Sequence, residues 1–521
     1  MSTSDISYLP QDIFFIVLNY LEPWDVVRCR SVSRSWQQAF SNPQNLGLIL
    51  KQQFPLAREV RRIREDCDLS NGAPEGIYSA ENDKRWRTAF DQVAARYYHL
   101  SRGKPRSTQK YDIWGNPGDP SRKWYPVQPW DSHKSHRMER VDYLFEPSSF
   151  WTYEDGLLVY PSNGERHISL LDLESNKSYK VPFDTDGKVV RRLRIQQRVL
   201  VIEWAESAAF HWLNGHDGVH RHFATLFDVV PFHDSDASER WKVTFRNEIK
   251  IMFLGHPLGD RDRFFSSHNR THYTIYAWQP NRSLYTADED APIESLFVWD
   301  ISKPSTNRPS EDPSGYQSQE EDGPHIVARF GFRDLEFYSV RQRGVPAMIR
   351  LEVDSDAGTV DITENFCRQP QYTDFPSPLT PPPGCATSPQ FPWSTSVQIT
   401  SIPFIGQGPC WRRKAGVSYP PYRGNSSMQT EPLSSGWHWY ADVSEAADRE
   451  SQVFYSLRFY SDSCRWDSMK ILLTVWTPRS EATMDHLSTS EIAFKGRIAG
   501  DERFLVGQNS ENQVVVFRFD K

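Results

Sequence analysis

Cysteine is scarce in this 521-residue chain: Cys29, Cys67, Cys367, Cys385, Cys410 and Cys464 lie far apart, with no C-x-x-C and no paired spacing. A chain this long has no need of disulfide staples, so reduced, intracellular thiols are expected. Long apolar runs are missing too. No window approaches eighteen apolar residues, and nothing is expected to cross or bind a membrane. The longest early run, Ile13–Leu18, is too short for a signal core and follows Asp5 and Asp12, which leaves a cytoplasmic or nuclear location. Positive charge is also short. The net charge is -7, so there is no global basic field to suit nucleic acid. Residues 1–110 do hold 16 Lys/Arg against 12 Asp/Glu, with Arg58, Arg61, Arg62 and Arg64 on one predicted helix; such a run reads as a solvated face.

Catalytic signatures are absent as well. There is no G-x-S-x-G elbow, no H-E-x-x-H, no Walker glycine loop and no G-x-G-x-x-G, since Gly406-Gln407-Gly408 runs into Pro409. The acidic groups Asp288-Glu289-Asp290 and Glu320-Glu321-Asp322 lie in loop-like contexts and read as solvated runs. No cofactor and no enzyme activity is expected. Four histidines, His211, His216, His220 and His222, fall within twelve residues. His220 and His222 alternate on one predicted strand face and could meet one ion. His216, however, sits at the tip of a hairpin turn, Asn214–Gly218, and surface histidines of one hairpin are the plainer reading.

What the chain does have lies between Leu9 and Trp36. The spacing predicts a helix from about Pro10 to Leu21, with Asp12 in its first turn and Pro23 beyond its end. A second short helix opens at Trp24-Asp25, and a third runs from Val32 to about Phe40, stopped by Asn42-Pro43. Ile13 to Leu18 are six consecutive apolar residues, which on a 3.6-residue period cover the whole circumference. Three helices of roughly thirty residues cannot bury both sides of such a helix by themselves. Either another part of this chain covers the second side, or another protein does.

Leu9-Pro10, a carboxylate two residues on, apolar positions through Leu21, Pro23-x-Asp25, two apolar positions, Arg28, and Val32-Ser33-Arg34-x-Trp36 together resemble the F-box motif. The resemblance covers the first fifty residues. It implies a helical module that docks on a Skp-family adaptor and, through it, on cullin and RING subunits of an SCF ubiquitin ligase. The docking residues it implies are Leu9, Pro10, Ile13, Ile16, Val17, Leu21, Val26, Val32 and Trp36.

Beyond residue 50, Asn45–Glu65 and Asp83–Leu100 are helical in pattern, with a possible interruption at Pro55, so residues 51–110 read as a helical stalk. From about residue 111 the pattern changes to short β-branched and aromatic runs between turns. They are Gly156–Tyr160, His167–Leu173, Val199–Trp204, Phe223–Val230, Trp241–Phe245, Tyr273–Trp278, Ser295–Ile301, Ile349–Val353, Val453–Tyr460, Ile471–Trp476 and Val514–Phe519. A weak repeat of apolar strands closing on an acid recurs at Asp172, Asp228, Asp300 and Asp520. At about 55 residues per unit, this predicts a six- or seven-bladed β-propeller over 111–521, closed by pairing Val514–Phe519 with a strand near residue 150. Two β-sandwich domains are the alternative. Insertions at 303–325 and 367–393, rich in Ser, Pro and acid or in Pro alone, read as mobile loops.

The whole is therefore an α+β multidomain chain: an all-α module (1–50), a stalk (51–110) and a large all-β domain (111–521), which the F-box resemblance implies holds an unknown protein substrate. Two other functions fit the same sequence. One is an F-box scaffold acting outside ubiquitination; the other is a metal-dependent enzyme built on His211–His222.

Overall fold

A computed structural model describes residues 9–69, 80–113, 151–162, 167–212, 218–233, 239–257, 263–279, 293–312, 323–342, 348–367, 395–405, 412–416, 441–445, 452–461, 469–493, 498–511 and 513–520. The chain begins with six helices: α1 (Gln11–Tyr20), α2 (Pro23–Cys29), α3 (Arg34–Phe40), α4 (Pro43–Gln53), α5 (Arg58–Leu69) and α6 (Ala80–Leu100). Their boundaries follow from local chemistry. Pro23 and Pro43 occupy first-turn positions, where a missing N–H costs nothing. The Ser33 hydroxyl accepts from the Trp36 N–H at 3.2 Å, and Asn42 Oδ1 accepts from the Gln44 N–H at 3.0 Å. The interruption expected at Pro55 separates α4 from α5.

Six antiparallel sheets follow. Blade 1 is β2 (Thr152–Glu154), β3 (Leu157–Pro161), β4 (Ile168–Asp172) and β5 (Lys177–Lys180). Blade 2 is β6 (Lys188–Gln196), β7 (Val199–Glu206), β9 (Gly218–His233) and β10 (Glu239–Pro257), with the two-residue β8 (His211–Trp212) paired to β9. Blade 3 is β11 (Arg263–His268), β12 (His272–Gln279), β13 (Ile293–Asp300) and β14 (His325–Phe330), followed by α7 (Phe332–Phe337). Blade 4 is β15 (Met348–Asp354), β16 (Thr359–Cys367), β17 (Thr395–Pro403) and β18 (Arg412–Gly416). Blade 5 is β19 (Ala441–Glu445), β20 (Phe454–Ser461), β21 (Met469–Trp476) and β22 (Glu481–Thr483), followed by α8 (His486–Ile492). Blade 6 joins β23 (Ile498–Gly500), β24 (Phe504–Gln508) and β25 (Gln513–Arg518) to β1 (Ser107–Asp112).

The first strands of neighbouring blades touch, β2 against β6 and β23 and β11 against β15, which places them innermost. The outermost strands β1 and β5 are largely exposed. Hydrophobic clusters fill the spaces between blades 1 and 2, 2 and 3, 3 and 4, and 6 and 1. This is a six-bladed β-propeller, and the pair of sandwiches is set aside. The runs read from sequence fall mostly on second and third strands, which neighbouring blades cover on both faces.

Closure differs from the expectation. Val514–Phe519 does pair to close the ring, but its partner is Ser107–Asp112, with Thr108 opposite Phe517 and Lys110 opposite Val515. The strand near residue 150, β2, is instead the inner strand of blade 1. An outermost strand needs no apolar face, and Ser-Thr-Gln-Lys-Tyr-Asp carries no alternation to betray it. The acid repeat also has a structural meaning. Asp172 and Asp300 end third strands and accept the N–H groups of Glu174 (3.0 Å) and Ser302 (2.7 Å), so they start turns; Asp228 lies within β9 and pairs with Arg246 at 2.5 Å.

A belt of polar contacts joins the turns between first and second strands. Arg503 of blade 6 reaches Asp155 of blade 1 at 2.7 Å. Glu154 accepts the Arg198 N–H of blade 2 at 3.0 Å, Gln197 accepts the Arg270 N–H of blade 3 at 2.9 Å, and His272 meets Ser355 of blade 4 at 2.7 Å. Of the expected loop at 303–325, residues 303–312 lie along blade 2. The Ser305 N–H donates to the Arg246 carbonyl at 2.9 Å, and the Arg308 guanidinium stacks 3.9 Å from the Phe245 ring centre. The rest of that stretch to Asp322, and residues 368–393 of the second expected loop, lie outside the described residues.

One buried histidine makes the fold acid-sensitive. His268 is fully enclosed and its Nε2 donates to the Val199 carbonyl at 2.9 Å; burial pushes its pKa down to about 3. In the unfolded chain it takes a proton near pH ~6.5. The unfolded state thus binds the extra proton between those limits, and stability falls as pH drops from about 6.5 toward 3, by at most ~1.4 kcal/mol per unit. His268→Gln, which keeps a donor for Val199, is expected to move the acid-unfolding midpoint to lower pH. Equal midpoints for the two proteins in a circular-dichroism titration would contradict this assignment.

Candidate adaptor-docking face

Helix α1 divides its apolar run between two sides. Phe14 and Leu18, four residues apart, point inward. The Phe14 ring meets Phe40 edge-on at 5.0 Å, and Trp36 stacks on Phe40 at 5.3 Å. Ile13, Ile16 and Tyr20 point the other way and are 46%, 52% and 86% exposed. Leu9 and Pro10 continue this stripe, and Val32, from the turn between α2 and α3, is 62% exposed. Isolated apolar side chains on a surface are ordinary, but a spaced row along one helix is the signature of a surface that a partner covers.

The nine residues implied by the motif therefore separate. Leu9, Pro10, Ile13, Ile16 and Val32 are exposed. Val17, Leu21 and Trp36 are half-buried, with Leu21 and Trp36 leaning on the module's own core. Val26 is 1% exposed and belongs to that core, so it has no surface to offer a partner; it is removed from the set. Tyr20 is the addition. Its spacing from Ile16 and Ile13 was the available signal, since 13, 16 and 20 fall on one helical stripe.

The docking helix is not on a tether. Phe14, Leu18, Val26, Phe40 and Leu50 share one continuous core with Phe90, Val93 and Tyr97 of α6, and with Tyr455, Leu473, Leu505 and Phe517 of blades 5 and 6. Arg479, in the turn between β21 and β22, donates to the Asn19 carbonyl at 2.6 Å and the Leu21 carbonyl at 2.8 Å, closing the C-terminal end of α1 with a cation. Sequence reading missed Arg479, because nothing local marks a cap supplied from 458 residues away.

Deeper in the junction the charges are buried. Arg96 lies between Glu59 and Glu502, with Nη1 at 2.7 Å from Glu502, whose Oε1 also accepts the Arg58 N–H at 3.0 Å. Burial pushes the Glu502 carboxyl up against the pull of Arg96. Burial likewise opposes ionisation of Glu59, but there Arg96 prevails and holds it low. Arg503 gathers Asp155, Glu174 and Asp501, and Glu174 also binds Arg58 of α5. Asp501, fully buried, is pushed up to about 8 by burial and by the neighbouring Asp155. All these groups lie at turns joining first to second or third to fourth strands of blades 5, 6 and 1, so the helices sit on one face of the propeller.

The histidine group does not assemble. His211 is exposed on β8, His220 donates from Nδ1 to the Glu206 carbonyl at 2.7 Å, and His222 is buried with Nδ1 on the His220 carbonyl at 3.0 Å. His216 lies outside the described residues. Among the described residues no three His, Cys, Asp or Glu side chains converge. No described helix is long and apolar enough to cross a membrane.

The F-box domain family matches residues 6–46, the span whose outward stripe has just been described. This chain carries an F-box domain. Its C-terminal domain is propeller-like, and F-box domains bind Skp adaptors in SCF complexes. No curated protein matches the chain. Among solved structures, a chain of the crystal structure of the mitotic checkpoint complex is similar at 9% identity and a TM-score of 0.33, over 80% of this F-box protein and 94% of that chain. A Trypanosoma rangeli sialidase bound to a difluorinated nononic acid is similar at 7% identity and a TM-score of 0.30, over 79% of this chain and 58% of that one. The six-bladed architecture rests on the strand pairing, not on these likenesses.

The two sides of α1 respond differently to substitution. Ile13→Asp with Ile16→Asp places charge on the outward stripe and is expected to leave thermal stability unchanged while removing adaptor binding in a pull-down. Phe14→Ala opens a cavity in the shared core and is expected to cost about 3–5 kcal/mol in denaturant unfolding. If the outward pair destabilised the protein as much as Phe14→Ala, the stripe would be core after all.

Proposed function

We propose that this F-box protein is a non-catalytic substrate receptor of an SCF ubiquitin ligase, with α1 and Val32 seated on a Skp-type adaptor and the propeller holding a protein substrate. The observation that supports it most is the outward row Leu9, Ile13, Ile16 and Tyr20 on a helix whose other side is locked into the propeller's own core. A receptor works by raising the local concentration of substrate at the ligase's transfer site, which requires a fixed span between the two binding surfaces. The shared core and the Arg479 cap supply that stiffness.

The substrate side is the opposite face of the propeller. The helices occupy one face over blades 5, 6 and 1, whereas the long connections leave strand ends on the other. β1 to β2 takes residues 113–151, β16 to β17 takes 368–394, and β18 to β19 takes 417–440. Their sequences hold Trp114, Trp124, Trp130, Trp393, Trp437 and Trp439, residue types that dominate binding energy at interfaces. On the helix side only two residues join β2 to β3 and β6 to β7. Specificity in repeat-built rings is carried by such connections.

Leu9→Ala with Pro10→Ala is expected to abolish co-purification with the Skp adaptor and to abolish self-ubiquitination with a reconstituted cullin–RING complex, while the propeller's circular-dichroism melt is unchanged. Adaptor binding that survives the double change would sink the docking assignment. Adaptor binding without any self-ubiquitination of the unaltered chain would mark a scaffold instead of a receptor.

A further inference from the structure

On the propeller face away from the helices, the turn from blade 1 into blade 2 borders a cavity of about 400 Å³. Its apolar wall is the rings of Phe183 and Trp204. The Lys188 ammonium stands over both, 5.2 Å and 5.0 Å from their centres, and donates to the Asp184 carbonyl at 2.9 Å. The chain thus already seats a cation on these rings. Around it, Asp184, Asp186, Glu206, Glu248 and Glu311 outnumber the cations Lys188 and Arg308. Arg221 is committed to both oxygens of Glu206, and Glu248 accepts from Thr225 Oγ1 and the Ser310 N–H. The carboxylate of Glu311, 3.7 Å from Arg308 Nε, stays 73% exposed at the mouth.

Glu206 is also where β7 ends and the β8–β9 hairpin departs. Phe210, just before β8, and Trp212, its last residue, are 58% and 59% exposed. They are nonetheless held. The Phe210 N–H donates to the Val219 carbonyl at 2.8 Å, its ring carries the Arg221 guanidinium at 5.2 Å, and Trp212 lies over Gly218, where a Cβ would come within 3.4 Å of the indole. Two fixed, open aromatic side chains therefore stand beside an acidic cavity whose rings accept an ammonium.

We infer that this corner reads a short extended segment of the substrate that carries a lysine or arginine followed or preceded by an apolar residue. The basic side chain enters the cavity, takes the place of the Lys188 ammonium on Phe183 and Trp204 and meets the carboxylates of the lining, with Glu311 at the mouth; the apolar one lies on Phe210 and Trp212. The assignment rests on the receptor reading and gives it a substrate chemistry. Charge complementarity selects against acidic segments, which the surplus of carboxylates repels.

The test is an array of nine-residue Gly/Ser peptides bearing Arg, Lys, Ala or Glu at one position and Phe, Leu or Ala at another, probed with the purified full chain. Signal is expected on spots that combine Arg or Lys with Phe or Leu. Trp212→Ala and Glu311→Lys, both at exposed positions, should each weaken the best peptide about tenfold in fluorescence anisotropy at an unchanged melting temperature. Lys188→Ala, which clears the rings, should bind it more tightly. An array without signal, equal signal on Glu spots, affinity untouched by both weakening variants, or loss of binding in Lys188→Ala would each overturn the inference. Adaptor capture on the same preparations is scored separately, so a failed receptor reading and a failed peptide site give different patterns.

Discussion

Glu502 and Arg503 occupy one turn of blade 6, and the arrangement of the whole molecule depends on the charges they collect. Glu502 takes Arg96 and the Arg58 N–H from the helices; Arg503 takes Asp155 and Glu174 from blade 1 and Asp501 beside it. Arg96 and Arg503 are buried, and a buried guanidinium left without its carboxylates is costly by several kcal/mol. Such a node is satisfied only when helices, blade 6 and blade 1 are all in place, which couples three regions distant in sequence into one cooperative unit. The continuous apolar core beneath it does the same in a non-directional way.

Division of labour between the two propeller faces follows from this. The face bearing the node carries the helices, and the polar belt from Arg503 through Asp155, Arg270 and Ser355 ties successive blades along it. The helices and the propeller thus form one packed unit.

The legible parts of the sequence were those governed by local rules. Helix starts at Pro23, Ser33 and Asn42 and the break at Pro55 follow from capping and proline geometry, and the second and third strands of blades 1, 2, 3 and 5 from doubly buried apolar runs. The docking stripe was half legible: the surplus of apolar residues on α1 was plain, but which of them faced outward needed the positions of Phe40 and α6. Val26, flanked by equally apolar Val27, carries no mark that it lies in the core. What stayed hidden depends on distant partners. The polar strand Ser107–Asp112 earns its place only by pairing with Val514 and Phe517, and Arg479 acts only because it arrives under α1. The acid repeat was visible yet misread as a blade signature alone, when at Asp172 and Asp300 it is a turn starter.

Ring closure between β1 and β25 has a consequence for biosynthesis. Asp112 meets Gln513 across 401 positions, and the core under the docking helices is completed by Leu505, Val515, Phe517 and Phe519. While the ribosome is still translating the middle blades, the nascent F-box lacks its floor and the strand that will seal the ring waits with an open edge. Bringing such distant segments together is entropically slow, so the ring closes only after the last blade has been made. Products of premature termination lack Leu505, Val515, Phe517 and Phe519, and with them the apolar surface on which the F-box helices set.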